Sequence, residues 1–359
     1  MPNSQAYFFI VSLLFFRGKQ CSERTKMRRL ALLLSAFLLL FSCAAAAEGL
    51  PDTLPLPSPE APAPERTHTA PAETPLPPAV IDRTLGEDLT DTIRFRVDSV
   101  FFHIWFPNID NADEAVLICG DEVWLLDAGD VRAGARGVEL MKKLGVEKID
   151  KIINSHPHHD HIGGLETTCA AFPVGELLIC FPGDRNSHMA TALSVARKYS
   201  VAVGTYGDGD TLTMGGGKVS LRFLLPRGET LDLNSLSAVT LVQCGDRRIL
   251  FAADTERPGQ EALLTQYAPE DLRAEILKYP HHGKSALVDG FWRAVSPSLA
   301  VVTNARAKCP DWAGIDFLDR KKIRTLFTNT VDSYCHLYTD GTAWVAEYVP
   351  MDAVPADWQ

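Results

Sequence analysis

The sequence predicts one folded α/β domain behind a leader and a linker, and three observations carry that reading. From about Ile93 onward, short apolar and β-branched runs alternate with stretches of helical spacing. Between Pro51 and Pro78 stand ten prolines with no periodic apolar face. Within the alternating part, one strand-like run leads straight into His156-Pro157-His158-His159-Asp160-His161, a concentration of metal-ligating side chains. At 359 residues, 46% of them hydrophobic and 22% charged, the chain can bury one large core or two modest ones.

Residues 1–26 read as an upstream extension ahead of a second, better start. Residues 27–47 open on Met27-Arg28-Arg29, continue through the apolar run Leu30 to Phe41 and end in Ser42-Cys43 and four alanines, the order of a secretory signal. The apolar run is shorter than the roughly 20 residues a spanning helix needs. Leu40-Phe41-Ser42-Cys43 resembles the lipobox of bacterial lipoproteins, which implies a lipid anchor at Cys43; cleavage after the alanines is the alternative. Both place the protein outside the cytoplasmic membrane, anchored or secreted. Residues 48–90 read as a Pro-rich linker, within which Pro51 to Pro78, with all ten of those prolines, cannot bury enough to order itself and reads as an extended stalk.

Residues 91–359 hold the folded domain. Strands are expected at Ser99 to Phe106, Ala115 to Cys119, Glu122 to Leu126 and Ile149 to Asn154, then at 218–225, 238–244, 248–253, 274–279, 298–303 and 342–348. Helices are expected at Gly137 to Leu144 and at 188–199, 259–267 and 286–295. No repeat of solenoid period interrupts them.

Charge and cysteine content exclude some functions. Outside residues 1–43 there are 29 basic and 44 acidic residues, a net charge of −15, so a polyanion would need a local basic patch to bind. The eight cysteines form no C-x-x-C pair, which excludes a zinc ribbon and a small disulfide scaffold. Cys119, Cys180 and Cys244 lie in apolar runs and read as buried thiols, while Cys309 and Cys335 read as nearer to loops.

In the segment from Asp150 to Gly164, alternate side chains of an extended chain share a face, so His156 and His158 point together. Asp160 and His161 follow where the chain must turn, positioned to meet a second ion. Zinc accepts this mixture of imidazole and carboxylate, and manganese or iron is compatible. His159, between the expected ligands, is expected to face solvent or to support a ligand from behind. Two more strand ends contribute: Arg247 to Asp254 ends in a carboxylate, and Ile276 to His282 ends in two imidazoles. His68, His103 and His336 have no ligand-spaced partners and read as structural or surface.

H-x-H-x-D-H after a strand, a strand-end Asp and then His-His-Gly together resemble the metallo-β-lactamase superfamily, most of all the ComEC-type extracellular domain. Val123 to Gly129 is similar to that family's strand ending in Asp-x-Gly, and Tyr338 to Thr342 to its closing hairpin. The resemblance implies a four-layer αββα sandwich with two divalent ions at one edge of its sheets. His156 and His158 would serve the first ion, Asp160, His161 and His282 the second, with His281 the alternative to His282 as ligand, and Asp254 would bridge both. Asp127 would orient a ligand, and Asp160 and His281 would act in catalysis, His281 as a proton donor or a supporting group.

Three positions depart from the pattern. The third His of the first ion has no counterpart between Ile162 and Asp254 except His188, in an expected helix, although Asn234-Ser235-Leu236-Ser237 matches an Asn and Ser region of the ComEC type. The family's Gly-Gln-Gly-Asp turn is replaced by Asn108 to Asp113, and its His-Pro-Ser by Cys309-Pro310-Asp311. The implied function is a phosphodiesterase in which hydroxide activated by two ions attacks phosphorus in line, with Lys284 or His281 near the leaving group. The substrate would be nucleic acid or a cell-envelope polymer. The alternative is a degenerate surface binding protein of the same fold.

Overall fold

The alternation read in the sequence resolves into two mixed sheets laid face to face. The computed structural model describes residues 80–85 and 100–354. The extension, the signal with Cys43 and the prolines 51–78 lie outside the described residues. The chain divides at Glu73, and the second unit, Thr74–Gln359, contains every element below.

The first sheet has the order β1-β16-β15-β2-β3-β4-β5-β6-β7. Its strands are β1 (Val80–Asp82), β2 (Phe102–Phe106), β3 (Ala115–Cys119), β4 (Glu122–Leu126), β5 (Ile149–Asn154), β6 (Val174–Ile179), β7 (Ala202–Thr205), β15 (Ser333–Thr339) and β16 (Trp344–Pro350). The second has the order β14-β13-β12-β11-β10-β9-β8, from β8 (Thr211–Met214), β9 (Val219–Leu224), β10 (Val239–Cys244), β11 (Arg247–Phe251), β12 (Ile276–Lys278), β13 (Leu299–Val302) and β14 (Arg324–Phe327). In each sheet an antiparallel meander gives way to parallel strands, β4 through β7 in one and β11 through β14 in the other.

Neighbouring residues of a strand face opposite sides, and the burial follows that rule. Leu117, Trp124 and Ile153 of the first sheet meet Val242, Ile249, Ile276 and Val301 of the second in one core between the sheets. Their neighbours Val116, Leu125 and Ile152 face outward under Leu140, Leu165 and Met189 of the helices Val131–Lys143, Leu165–Ala171 and Ser187–Lys198. On the other outer face Leu250, Leu277 and Ala300 lie under Leu263, Phe291 and Leu318 of Arg257–Gln266, Asp289–Val295 and Ala313–Lys321. The result is the expected αββα sandwich. Each buried aliphatic or aromatic side chain contributes about 1.5–3 kcal/mol by leaving water.

The first helix begins at Val131, six residues before the expected start. Asp130 caps it, its Oδ1 accepting from the amides of Arg132 at 2.8 Å and Ala133 at 2.7 Å. Gly134 and Gly137 weakened the helical signal there. Cys309 and Cys335, expected nearer to loops, are both fully buried, and Cys335 lies within β15; Cys180 is half-buried. No helix among the described residues is long and apolar enough to cross a membrane.

Candidate metal centre

The cluster gathers just past the carboxyl ends of parallel strands, where α/β sheets collect ligands. β4 ends at Leu126 and delivers Asp127, and β5 ends at Asn154 and delivers Ser155 to His161. From the other sheet, β11 delivers Asp254, β12 delivers His281 and His282, and β13 delivers Thr303.

Asp254, 1% exposed, lies at the centre. Its Oδ1 is 3.2 Å from His161 Nε2 and 3.5 Å from His282 Nε2, and His282 Nε2 is 3.3 Å from Asp160 Oδ2. Ligands about 2.1 Å from a tetrahedrally held ion lie about 3.4 Å from one another. The three spacings have that size. His161 Nε2 and Asp254 Oδ1 are close but not aligned for a hydrogen bond, and neither has another partner. Buried polar atoms left this way are costly, and a cation between them removes the cost. Asp160, His161, Asp254 and His282 therefore form a donor set that fits a divalent ion, with one atom from each within 4.8 Å of the others. The other carboxylate oxygen, Asp254 Oδ2, faces His156 Nε2 at 3.9 Å and His281 Nε2 at 3.7 Å. His156 Nε2 in turn lies 2.9 Å from His158 Nδ1.

Carboxylates behind the imidazoles fix their orientation. Asp127 Oδ2 is 2.7 Å from His161 Nδ1 and accepts the Ser155 hydroxyl at 2.6 Å, while its Oδ1 accepts the Ser155 amide at 2.7 Å and the Asn154 side-chain amide at 3.0 Å. Asp113 does the same for His282, its Oδ1 lying 3.1 Å from His282 Nδ1 and accepting the Thr303 hydroxyl at 2.6 Å. Lys278, 2% exposed, holds the other oxygen of Asp113.

Burial and mutual charge set the protonation pattern. Burial alone would depress His161, but the Asp254 and Asp127 carboxylates override it and hold the imidazole well above its ordinary range. Burial likewise opposes ionisation of Asp254, and the imidazoles of His161, His282 and His156 outweigh it, holding the carboxyl well below the usual range. Asp113 is lowered against its own burial by Lys278 and then His282. His156 is depressed well below its ordinary range by burial and by His161.

All six residues expected as ligands converge here: His156, His158, Asp160, His161, Asp254 and His282. His281, expected in catalysis, stands beside Asp254, and Asp127 lies behind His161. His159 is exposed, its ring 5.7 Å from that of His188, itself exposed at the start of its helix. His188 takes no part in the cluster. In the Asn234 to Ser237 segment, Ser237 Oγ accepts the Asp254 amide at 3.2 Å and braces it from behind. Cys309 turns inward, its thiol donating to the Ala305 carbonyl at 3.2 Å. His103 and His336, expected to be structural or at the surface, lie away from the cluster and pair with each other at 3.1 Å across β2 and β15. Asp113 was not among the expected site residues: it ends the segment Asn108 to Asp113, which departs from the family turn. Its signal was the acidic pair Asp113-Glu114 set immediately before an apolar strand.

Residues 115–288 match the family model described as the metallo-β-lactamase superfamily. Among curated proteins, ComE operon protein 3 of Bacillus subtilis is 24% identical over 222 residues, covering 60% of this chain and 28% of that protein. Competence protein ComA of Neisseria gonorrhoeae is 28% identical over 186 residues, covering 51% and 24%. The chain thus spans about a quarter of the length of these relatives. Similar solved structures include a Cronobacter sakazakii metallo-β-lactamase with the HARLDQ motif, 20% identical with a TM-score of 0.37, covering 48% of this chain and 73% of that one. MEM-A1, a subclass B3 metallo-β-lactamase from a soil metagenome, is 15% identical with a TM-score of 0.38, covering 63% and 88%. Residues 115–288, which carry all six of the residues expected as ligands, match the metallo-β-lactamase superfamily of metal-dependent hydrolases, and the chain is similar within it to the competence proteins.

Proposed function

We propose that the protein is a two-ion phosphodiesterase working outside the cytoplasmic membrane on nucleic acid or a cell-envelope phosphodiester. The observation that supports it best is Asp254, whose two oxygens each face a pair of imidazole nitrogens, the arrangement a carboxylate takes between two cations. Divalent ions held there, zinc in the first place with manganese or iron compatible, supply Lewis acidity and a water of lowered pKa.

The protein's own groups give the site its direction. His156, His161 and His282 are fully buried, whereas Asp160 is 25% and His281 15% exposed. Substrate therefore approaches over Asp160 and His281. Lys284 Nζ, 3.2 Å from His281 Nε2, adds positive charge on that open side, where a phosphate oxygen or a leaving alkoxide needs neutralising. The loop carrying Asp113 also lines a polar cleft of about 230 Å³ with Arg132, Arg136 and Lys308 on its walls. Arg132 and Lys308 pair with Asp130 and Asp110 on the same walls, so the cleft is of mixed charge, and Lys284 is the positive charge beside the open side of the centre. The signal-like residues 27–47 and the prolines beyond them support the location, with a lipid on Cys43 as the membrane link.

Metal-loaded protein should hydrolyse bis(p-nitrophenyl) phosphate or release nucleotides from single-stranded DNA, and Asp160→Ala should lower the rate at least about a hundredfold. Turnover of the first without the second points to a wall-polymer ester. Failure to cleave either, with metal bound, sinks the proposal and leaves the non-enzymatic surface binder.

A further inference from the structure

The first ion has only two histidines from the H-x-H segment, and the segment 165–253 supplies no third: His188 is exposed and away from the cluster. His281 stands where a third would be needed. Its Nε2 is 3.7 Å from Asp254 Oδ2, the oxygen that also faces His156 Nε2 at 3.9 Å, and His158 Nδ1 lies 2.9 Å from His156 Nε2. These spacings bracket the edge of about 3.4 Å expected for tetrahedral ligands.

The backbone supports the same assignment. His281 and His282 are consecutive and both left-handed, with φ of 51° and 53°. For residues with a side chain this conformation is strained, and such strain persists where surrounding structure requires it. The effect is to splay the two rings, which stand at 72° with centroids 5.9 Å apart, to opposite oxygens of Asp254. A single imidazole ligand needs only one such residue.

His281 also has the kind of neighbour that ligand imidazoles have. His161 has Asp127 behind Nδ1 and His282 has Asp113. His281 Nδ1 lies 2.8 Å from Glu256 Oε1, off the hydrogen-bonding direction. At the other nitrogen Lys284 approaches Nε2 as a donor, which identifies the lone pair an ion would take.

We propose that His281 is the third imidazole of the first ion, so that His156, His158, His281 and Asp254 Oδ2 hold one ion while Asp160, His161, His282 and Asp254 Oδ1 hold the other. Lys284 then competes with the first ion for His281 Nε2, and Glu256 is a positioning residue. The inference rests on the two-ion reading above but is tested on metal binding, so failure of the phosphodiesterase assay leaves it standing.

The experiment is titration of the metal-stripped full chain with Zn²⁺ and with Co²⁺, followed by calorimetry, bound-metal analysis and cobalt absorption, with circular dichroism to verify folding. Wild type should bind two ions. His281→Ala should keep one ion and bind the other at least about a hundredfold more weakly; Glu256→Gln should weaken that same ion by about 10- to 100-fold. His282→Ala should weaken the other ion and change a different part of the cobalt spectrum. Lys284→Met should tighten the ion that His281→Ala weakens. The proposal is overturned if His281→Ala retains both ions at wild-type affinity, if it loses both, or if Lys284→Met loosens the first ion.

Discussion

Asp127 shows how much a single side chain can organise. It sits at φ 58°, and its two oxygens serve Asn154, both polar hydrogens of Ser155 and His161 Nδ1. Asp127→Asn keeps the volume but puts an amide donor among these donors. The expected outcome is a 10- to 100-fold loss of affinity for the ion near His161 with the fold retained, measured by competition with a chelator; unchanged affinity would show that Ser155 alone holds the ring. At this scale the residues that gather around Asp254 were legible in the sequence, because four histidines and an aspartate within six residues are hard to explain as solvated surface. The groups that aim them were less so. Asp113 is an ordinary acid until Lys278, 165 positions away, and Thr303, 190 positions away, close on it. Glu256 becomes a candidate only once the fold brings His281 against it.

Among the elements, the turn after the H-x-H-x-D-H segment depends on close backbone approach. A Cβ at Gly164 would come within 2.1 Å of the Ala128 carbonyl oxygen and 3.0 Å of Gly134 Cα. Neither contact is a flexible side chain that could move aside, so Gly164→Ala should destabilise the domain by about 2–4 kcal/mol and displace Asp160 and His161, read from urea denaturation and metal affinity together. Wild-type values for both would mean that the helix Val131–Lys143 can shift without cost. The same closeness explains what the sequence hid. Gly134 and Gly137 are weak helix formers retained because Gly164 and Glu114 occupy the space of their side chains, and they obscured the helix's first six residues. Strands β3, β4 and β5 were read with their observed ends because they are short, apolar and bounded by polar or glycine turns. β1, β6, β7, β8, β14 and β15 were not expected; β7 and β8, four residues each and largely solvent-facing, leave little apolar pattern to read.

For the molecule as a whole, Glu114 gives stability a pH dependence. It is 1% exposed, neither carboxylate oxygen has a hydrogen-bond partner, and burial raises it to about 8 from an ordinary 4.5. The unfolded chain releases this proton as pH rises past 4.5 while the folded chain retains it until near 8. In that window the folded state binds more protons, so stability falls with rising pH and the loss levels off above 8. The contribution is on the order of 3 kcal/mol at neutral pH. Glu114→Gln removes the titration, so between pH 5 and pH 8 wild type should lose more stability than the variant in urea denaturation; equal losses would place the proton elsewhere.

The buried Lys278 also bears on how the site is assembled. It belongs to a strand of the second sheet, grips a carboxylate from the loop entering β3 of the first, and donates to the carbonyl of Ala253 at 3.1 Å, immediately before Asp254. Neither half of the chain can form this junction alone, so it closes only when the two sheets dock. A nascent or partly folded chain offers the histidines of the H-x-H segment but not the aligned Asp254 and His282. An ion held by residues of both sheets would therefore be captured in full only after docking, and would mark a chain whose two halves have already met.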